Sequence, residues 1–94
     1  IKAIARHEIM CNLDDVLSSS SSVLKFGGRL CMVHRANRLA DVLCTMRKYF
    51  IEPKRIQMIT PSPGKEPNLF LVEGIKGAKP FLKFEKTLYK CVNL

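Results

Sequence analysis

The fold is decided by residues 27–38, which read Gly27-Gly28-Arg29-Leu30-Cys31-Met32-Val33-His34-Arg35-Ala36-Asn37-Arg38. Four apolar residues in succession, 30–33, leave no polar face, and such a run is typical of a strand covered on both sides. Strands of this kind belong to α/β sheets, in which ligands bind outside the carboxyl ends of the strands. The stretch therefore predicts a helix stop at the two glycines, an interior strand, and a basic turn that places His34, Arg35 and Arg38 at its ligand-binding end.

Two helices are predicted on either side of this strand. The first begins after Asn12, a good N-cap residue, and five of its residues share one face: Leu13, Val16, Leu17, Ser20 and Leu24. The serines at 18–22 are poor helix formers, but the apolar positions around them keep helical spacing. The second helix has its apolar positions at i, i+3, i+4, i+7 and i+11: Leu39, Val42, Leu43, Met46 and Phe50.

Two further strands follow the second helix, which we expect to end at Glu52-Pro53 because the residue before a proline avoids the helical region. Residues 55–60 alternate in polarity, which indicates a half-covered or edge strand. Residues 69–72 are apolar on both faces, which indicates an interior strand. The last strand must then lie between the earlier two, and the far edge of strand 30–33 is left without a neighbour.

Length and composition set the class of protein. The 94 residues suffice for one domain, and a net charge of +8 is compatible with a polyanionic partner but is weak evidence for one. The four cysteines have no C-x-x-C spacing, so we expect neither a disulfide framework nor a zinc site, and a reducing cytoplasm fits best. No apolar run approaches the roughly 18 residues of a membrane span, so no membrane partner is expected.

Five motifs occur in order along the chain: Ala5-Arg6-His7-Glu8, Leu24-Lys25-x-Gly27-Gly28-Arg29, Val33-His34-Arg35-x-x-Arg38-Leu39, Glu52-Pro53-Lys54-Arg55 and Leu71-Val72-Glu73-Gly74. With these motifs the chain resembles, from about Ile4 to about Pro80, the C-terminal half of a class I S-adenosylmethionine-dependent methyltransferase. Within that class it is similar to the bacterial tRNA adenine-N6 methyltransferases, which modify the adenosine beside the anticodon of a valine tRNA.

The resemblance implies an α/β fold, the C-terminal half of a Rossmann-like methyltransferase, with two helices packed on a three-stranded mixed sheet. Residues 1–94 would then form one partial domain that lacks the cofactor-binding half. The intact enzyme would use S-adenosylmethionine and act on tRNA. The family's glycine-rich cofactor loop and its Asn-Pro-Pro-Tyr motif do not occur in the chain, so we expect no catalytic or cofactor-binding residue here. Both motifs, and the strand missing beside 30–33, would lie upstream of Ile1.

The resemblance also implies where substrate would be met. Arg6 and His7 would follow the catalytic loop, while Arg35 and Arg38 would stand on the active-site side, and all four would contact tRNA phosphate or shape the substrate entrance. An equally open interpretation is that Arg35 and Arg38 cap the second helix and pair with Asp41 or Glu8. Further basic residues could attract phosphate or simply be solvated: Lys54, Arg55, Lys76, Lys79, Lys83, Lys86 and Lys90.

Two alternatives stay open at this point. The chain could be a small stand-alone basic domain that binds RNA without catalysis. It could also form a homo-oligomer in which the unpaired strand edge binds a second copy.

Overall fold

The computed structural model describes residues 2–5 and 12–89. Its elements, in chain order, are β1 (Lys2–Ala5), α1 (Leu13–Val23), β2 (Arg29–Arg35), a 3₁₀ turn (Ala36–Arg38), α2 (Leu39–Lys48), β3 (Ile51–Thr60), β4 (Leu69–Lys76), β5 (Lys83–Phe84) and β6 (Leu88–Tyr89). The strands form one sheet in the order β1-β2-β4-β3-β5, and β6 also pairs with β3. No helix in the described ranges is long and apolar enough to cross a membrane.

The last long strand lies where the sequence predicts. β4 lies between β2 and β3 and is antiparallel to both, so that Val72 is opposite Met32 on one side and Ile56 on the other. All three side chains are buried and belong to one apolar cluster with both helices. The insertion of β4 is therefore confirmed in both order and direction.

The prediction of a three-stranded sheet with a bare edge is wrong. β1 pairs with β2 in parallel, from Lys2 opposite Arg29 to Ala5 opposite Met32. On the other side of the sheet, the short strands β5 and β6 run parallel to β3. The sheet thus has six strands in the described ranges, because short segments pair with the free backbone groups of β2 and β3. Of these, β5 and β6 lie in the stretch after Lys76, whose ambiguous periodicity in the sequence is compatible with a weak strand. The edge on which the dimerisation hypothesis rests is occupied within the chain.

Both helices cover the same face of the sheet. The buried apolar residues form one cluster: Leu13, Leu17, Leu24, Leu30, Met32, Val42, Met46, Ile51, Ile56, Phe70 and Val72. On the opposite face Cys31 and Val33 are only half-buried and Leu71 is exposed. The apolar run of β2 predicts cover on both sides, but the described residues cover one.

Both ends of helix α1 are stabilised by hydrogen bonds, and its run of serines is accommodated within the helix. The Asn12 side chain accepts a hydrogen bond from the Asp15 N–H at 2.8 Å. Ser20 donates to the Val16 carbonyl at 2.8 Å, so its hydroxyl is satisfied inside the helix. The helix has no basic residue in its last turn, and Lys76 of β4 takes that place. Its ammonium donates to the carbonyls of Ser21 at 2.5 Å and Leu24 at 3.0 Å.

Helix α2 ends earlier than the sequence predicts, at Lys48. Phe50 is not on its apolar stripe: the residue is 72% exposed and has a φ of +64°. Glu52-Pro53 lies inside β3 rather than at the helix end, and the proline is tolerated because the pairing register shifts between Pro53 and Arg55. The chain turns at Tyr49 and Phe50, not at the proline.

Two contacts fix α2 in place. The Lys48 ammonium and the Tyr49 hydroxyl donate to the Asp14 carboxylate of α1 at 2.9 and 3.0 Å, and these hydrogen bonds lower the pKa of Asp14. On the sheet side, a Cβ at Gly74 would overlap the Met46 methyl and lie 2.6 Å from Cγ2 of Ile51. The glycine therefore allows α2 to pack directly on β4.

We expect K76M to lower the free energy of unfolding by about 1–3 kcal/mol, because it removes a charged donor from two carbonyls at the end of α1. Methionine keeps most of the side-chain length. The control is K25M, since Lys25 is exposed in the neighbouring turn. Urea unfolding followed by circular dichroism measures both, and equal midpoints would contradict the role given to Lys76.

We expect F50G to raise the free energy of unfolding by about 1 kcal/mol. A left-handed conformation costs a residue with a side chain roughly 1–2 kcal/mol, and the greater freedom of glycine in the unfolded chain offsets part of the gain. F26G is the comparison, because Phe26 is also exposed but has no positive φ; its ring lies 5.5 Å from the Lys76 ammonium, so F26G should lower the free energy of unfolding. A lower midpoint for F50G than for the unsubstituted protein would show that the left-handed backbone is not the governing cost.

Candidate functional site

Three strands begin or end at one end of the sheet, which consists of residues 35–38 and 59–69 and which we call the carboxyl edge. β2 and β3 both end there, and β4 begins there. The Ala36 N–H donates to the Asn68 carbonyl at 3.0 Å, and the Asn68 N–H donates to the Ile59 carbonyl at 3.0 Å. Backbone hydrogen bonds therefore connect the ends of all three strands and hold the turn that carries the two arginines.

Arg35 and Arg38 both lie exposed at the carboxyl edge. Arg35 is the last residue of β2, where Leu30, Met32 and His34 alternate into the core, so Arg35 is on the opposite parity. Arg38 is the N-cap residue of α2 and forms no side-chain cap hydrogen bond. The structure thus places the two residues on the same turn, as predicted.

The interpretation that the arginines form local ion pairs holds for Arg38. Its Nε donates to Oδ2 of Asp41 at 3.0 Å, and both side chains are largely exposed. An exposed pair of this kind contributes little to stability. It leaves the guanidinium at the surface, where a phosphate can compete with the carboxylate.

Arg6 and His7 lie outside the described residues. They follow β1 directly in the sequence, and the last residue of β1, Ala5, is opposite Met32 of β2. Their proposed contact with substrate stays a prediction.

His34 has a structural environment. It is 6% exposed, its ring stacks on that of Phe70 with centroids 6.5 Å apart, and its Nδ1 accepts the Arg35 N–H at 2.9 Å. A ring held in this way fixes the last residues of β2. This agrees with the interpretation of His34 as a hydrogen-bonded histidine rather than a general base.

The carboxyl edge is suited to binding anions. The amino end of α2 carries the positive end of a helix dipole, beside the charges of Arg35 and Arg38. The hydroxyl of Thr60, at the end of β3, is buried and has no hydrogen-bond partner among the described residues. In the same ranges no three side chains could hold a metal ion together. This arrangement concentrates positive charge at the carboxyl edge.

Three of the predicted phosphate-attracting residues are engaged within the protein. Lys76 binds carbonyls at the end of α1, and Lys54 donates to the carbonyls of Lys79 at 2.7 Å and Pro80 at 3.1 Å. Arg55 pairs with Glu85 at 3.1 Å. The charges of these three residues are therefore used in contacts within the protein.

Lys79, Lys83 and Lys86 are exposed and form no ion pair with a described residue, whereas Lys90 lies outside the described ranges. Sequence reasoning missed the aromatic residues among them, Phe81 and Phe84, which are also exposed. The alternation of lysine and aromatic residues after position 78 was the signal that could have found them.

Two features of the described residues bear on S-adenosylmethionine binding. The connection from β2 to α2 contains no glycine, and a phosphate- or cofactor-binding loop of a doubly wound sheet needs glycine for close approach. One depression, with a volume of about 140 Å³, lies on the uncovered sheet face beside Cys31, Arg55 and Glu73. A cofactor pocket needs roughly 300 Å³ or more. That the cofactor residues lie elsewhere stays a prediction.

The chain matches no protein-family model and no curated protein, but it is similar to solved structures. One is the crystal structure of a predicted O-methyltransferase, protein Atu636 from Agrobacterium tumefaciens, with a TM-score of 0.82 and 24% identity over 94% of this chain and 41% of that one. A second is the M1.HpyAVI–SAM complex, with a TM-score of 0.63 and 11% identity over 98% of this chain and 55% of that one. A third is the crystal structure of M1.HpyAVI, with a TM-score of 0.60 and 8% identity over 93% of this chain and 54% of that one.

These likenesses show the fold. The chain spans about half or less of the structures it matches, and its two helices and mixed sheet have the α/β architecture of the matched part of those structures.

Proposed function

We propose that this chain is the C-terminal part of an S-adenosylmethionine-dependent tRNA adenine-N6 methyltransferase, to which it contributes part of the fold and the substrate-side rim. The observation that carries the proposal is the placement of Arg35 and Arg38 at the carboxyl edge of a methyltransferase-type sheet. The ordered motifs of the chain support the adenine and tRNA specificity by resemblance. The cytoplasm, where tRNA is modified, remains the expected location.

The rim would act by positioning. Methyl transfer depends mainly on holding the acceptor nitrogen in line with the methyl group, and a base that is modified must first leave its stack. Arginine binds phosphate with a planar, bidentate set of donors. Arg35 and Arg38, on a turn tied to Asn68 by a backbone hydrogen bond, would fix the backbone of the tRNA while residues outside this chain hold the base and the cofactor.

We expect R35A/R38A to lower kcat/KM for methyl transfer by about tenfold or more, mainly through KM, because phosphate contacts bind substrate and transition state alike. The assay measures tritium transfer from S-adenosylmethionine to a valine tRNA transcript, using the whole protein encoded by the reading frame that contains this chain. A transcript with the target adenosine replaced by guanosine controls for the position of the methyl group.

K25A is the charge control, which removes one charge where R35A/R38A removes two, because Lys25 is exposed and precedes β2 at the opposite end of the sheet. An equal loss of kcat/KM in K25A and R35A/R38A would show a general effect of charge and would contradict a specific role for the rim. Absence of transfer to any tRNA by the unsubstituted whole protein would refute the proposed function itself.

A second expectation concerns the cofactor. The polypeptide of 94 residues alone should give no measurable heat with S-adenosylmethionine in titration calorimetry, because its sequence contains neither the glycine-rich cofactor loop nor the Asn-Pro-Pro-Tyr motif. The whole protein should bind it. Tight binding by the 94-residue polypeptide would contradict the proposed location of the cofactor site.

The alternative function, a basic RNA-binding domain without catalysis, is favoured by one observation: the exposed, unpaired lysines of segment 79–89. It predicts RNA binding by a protein whose reading frame holds no cofactor site. The transfer assay separates the two, since only the methyltransferase incorporates tritium.

A further inference from the structure

We propose that segment 79–89 is a platform for single-stranded RNA, in which Phe81 and Phe84 stack on bases and Lys83 and Lys86 contact phosphates. This inference rests on the proposed function for the identity of the RNA, which would be an unpaired part of the substrate tRNA. Each of the following observations concerns this segment, which we call the tail platform.

The aromatic side chains of the tail platform are left in water. Phe81 is 87% exposed, Phe84 is 69% exposed and Tyr89 is 54% exposed. A single exposed apolar residue is ordinary, but a group of large ones marks an interaction surface. The nearby Leu82 packs against the core, whereas the aromatic side chains of the same segment stay exposed.

The backbone of the tail platform is held by β3. The Glu85 N–H donates to the Ile56 carbonyl at 2.7 Å, and Nε2 of Gln57 donates to the Lys86 carbonyl at 2.8 Å. Lys54 holds the beginning of the segment through the carbonyl of Lys79. The aromatic residues are therefore presented by an anchored strand rather than by a loose end, and less conformational entropy is lost when a ligand binds.

The charges of the tail platform favour a polyanion. Its one carboxylate, Glu85, is directed to Arg55 at 3.1 Å and is 32% exposed. Lys79, Lys83 and Lys86 are exposed and form no ion pair with any described residue. Exposed aromatic residues interleaved with unpaired cations are the pattern by which proteins bind single strands, since every base has a stacking face and every nucleotide a phosphate.

Phe81 also has an unfavourable backbone. Its φ of +99° lies in the left-handed region that favours glycine, and a large side chain there costs free energy. Residues held in such conformations cluster where ligands bind. Glycine would remove the cost but also the ring, which the platform needs.

The platform leads to the carboxyl edge. β5 and β6 run parallel to β3, and Tyr89 is opposite Thr60, the last residue of β3. Neighbouring strands lie about 4.8 Å apart, so the platform ends a few strand spacings from Arg35. One single strand of RNA could follow the outer edge of the sheet and reach the rim.

The test is fluorescence anisotropy with a 5′-fluorescein-labelled oligouridine of about 15 nucleotides, a length within reach of single-strand sites, measured over a series of KCl concentrations. The variants are F81L/F84L, which keeps apolar bulk but removes both rings, and K83Q/K86Q, which removes two charges. The controls are F26L and K25Q, because Phe26 and Lys25 are exposed in the turn before β2 and lie outside segment 79–89. Circular dichroism confirms that each variant is folded.

We expect F81L/F84L to weaken binding by about tenfold or more with an unchanged salt dependence, because stacking releases no counterions. We expect K83Q/K86Q to reduce the slope of log K against log salt by about 1.4, or about 0.7 for each phosphate that a lysine no longer neutralises. F26L and K25Q should bind as the unsubstituted protein does. Unchanged affinity in F81L/F84L, an unchanged slope in K83Q/K86Q, or an equal loss in the controls would overturn the platform.

The outcome is separable from that of the proposed function. Normal methyl transfer together with unaffected RNA binding in F81L/F84L refutes the platform and leaves the methyltransferase. Loss of RNA binding in F81L/F84L, in a whole protein that transfers no methyl group to tRNA, supports the platform and refutes the methyltransferase.

Discussion

The structure depends on the insertion of β4 between β2 and β3. β4 is antiparallel to both neighbours and pairs with each along most of its length, and its Phe70 and Val72 are fully buried members of the apolar cluster. Gly74 completes the arrangement, since a side chain there would collide with Met46 of α2. The same insertion brings the ends of β2 and β3 to one edge. Without it, the turn that carries Arg35 and Arg38 would have no fixed relation to the rest of the sheet.

The main elements could be predicted from the sequence because their signals are local. The apolar run of β2 and the helical spacing around Val42 and Met46 are of this kind, and so is the order of the long strands. The parts that differ depend on pairing that sequence periodicity does not report. β1 has four residues and the tail strands two each, so they exist only because a longer strand offers free backbone groups. The turn at Phe50 was missed because an exposed phenylalanine continued the apolar spacing of α2.

The candidate site, too, was predictable from the sequence only in part. That Arg35 and Arg38 lie at a carboxyl edge follows from strand direction, which the sequence indicates. Which basic residues are available to a ligand does not follow from sequence, because it depends on contacts between distant segments. Lys76 and Lys54 are taken up by carbonyls 52 to 55 and 25 to 26 positions away along the chain. A count of lysines therefore overstates the surface that can meet a phosphate.

Two phenylalanines have a positive φ and are largely exposed, Phe50 and Phe81, yet their surroundings give them different meanings. The basic residues just before Phe50 are committed, since Arg47 pairs with Glu52 and Lys48 with Asp14. An RNA approaching Phe50 would have to break those pairs to gain a phosphate contact. Around Phe81 the neighbouring lysines have no such partner in the described ranges, and the one carboxylate is held by Arg55. Backbone strain alone thus identifies no site. It points to one where it coincides with an exposed ring and with cations that the fold has left unpaired.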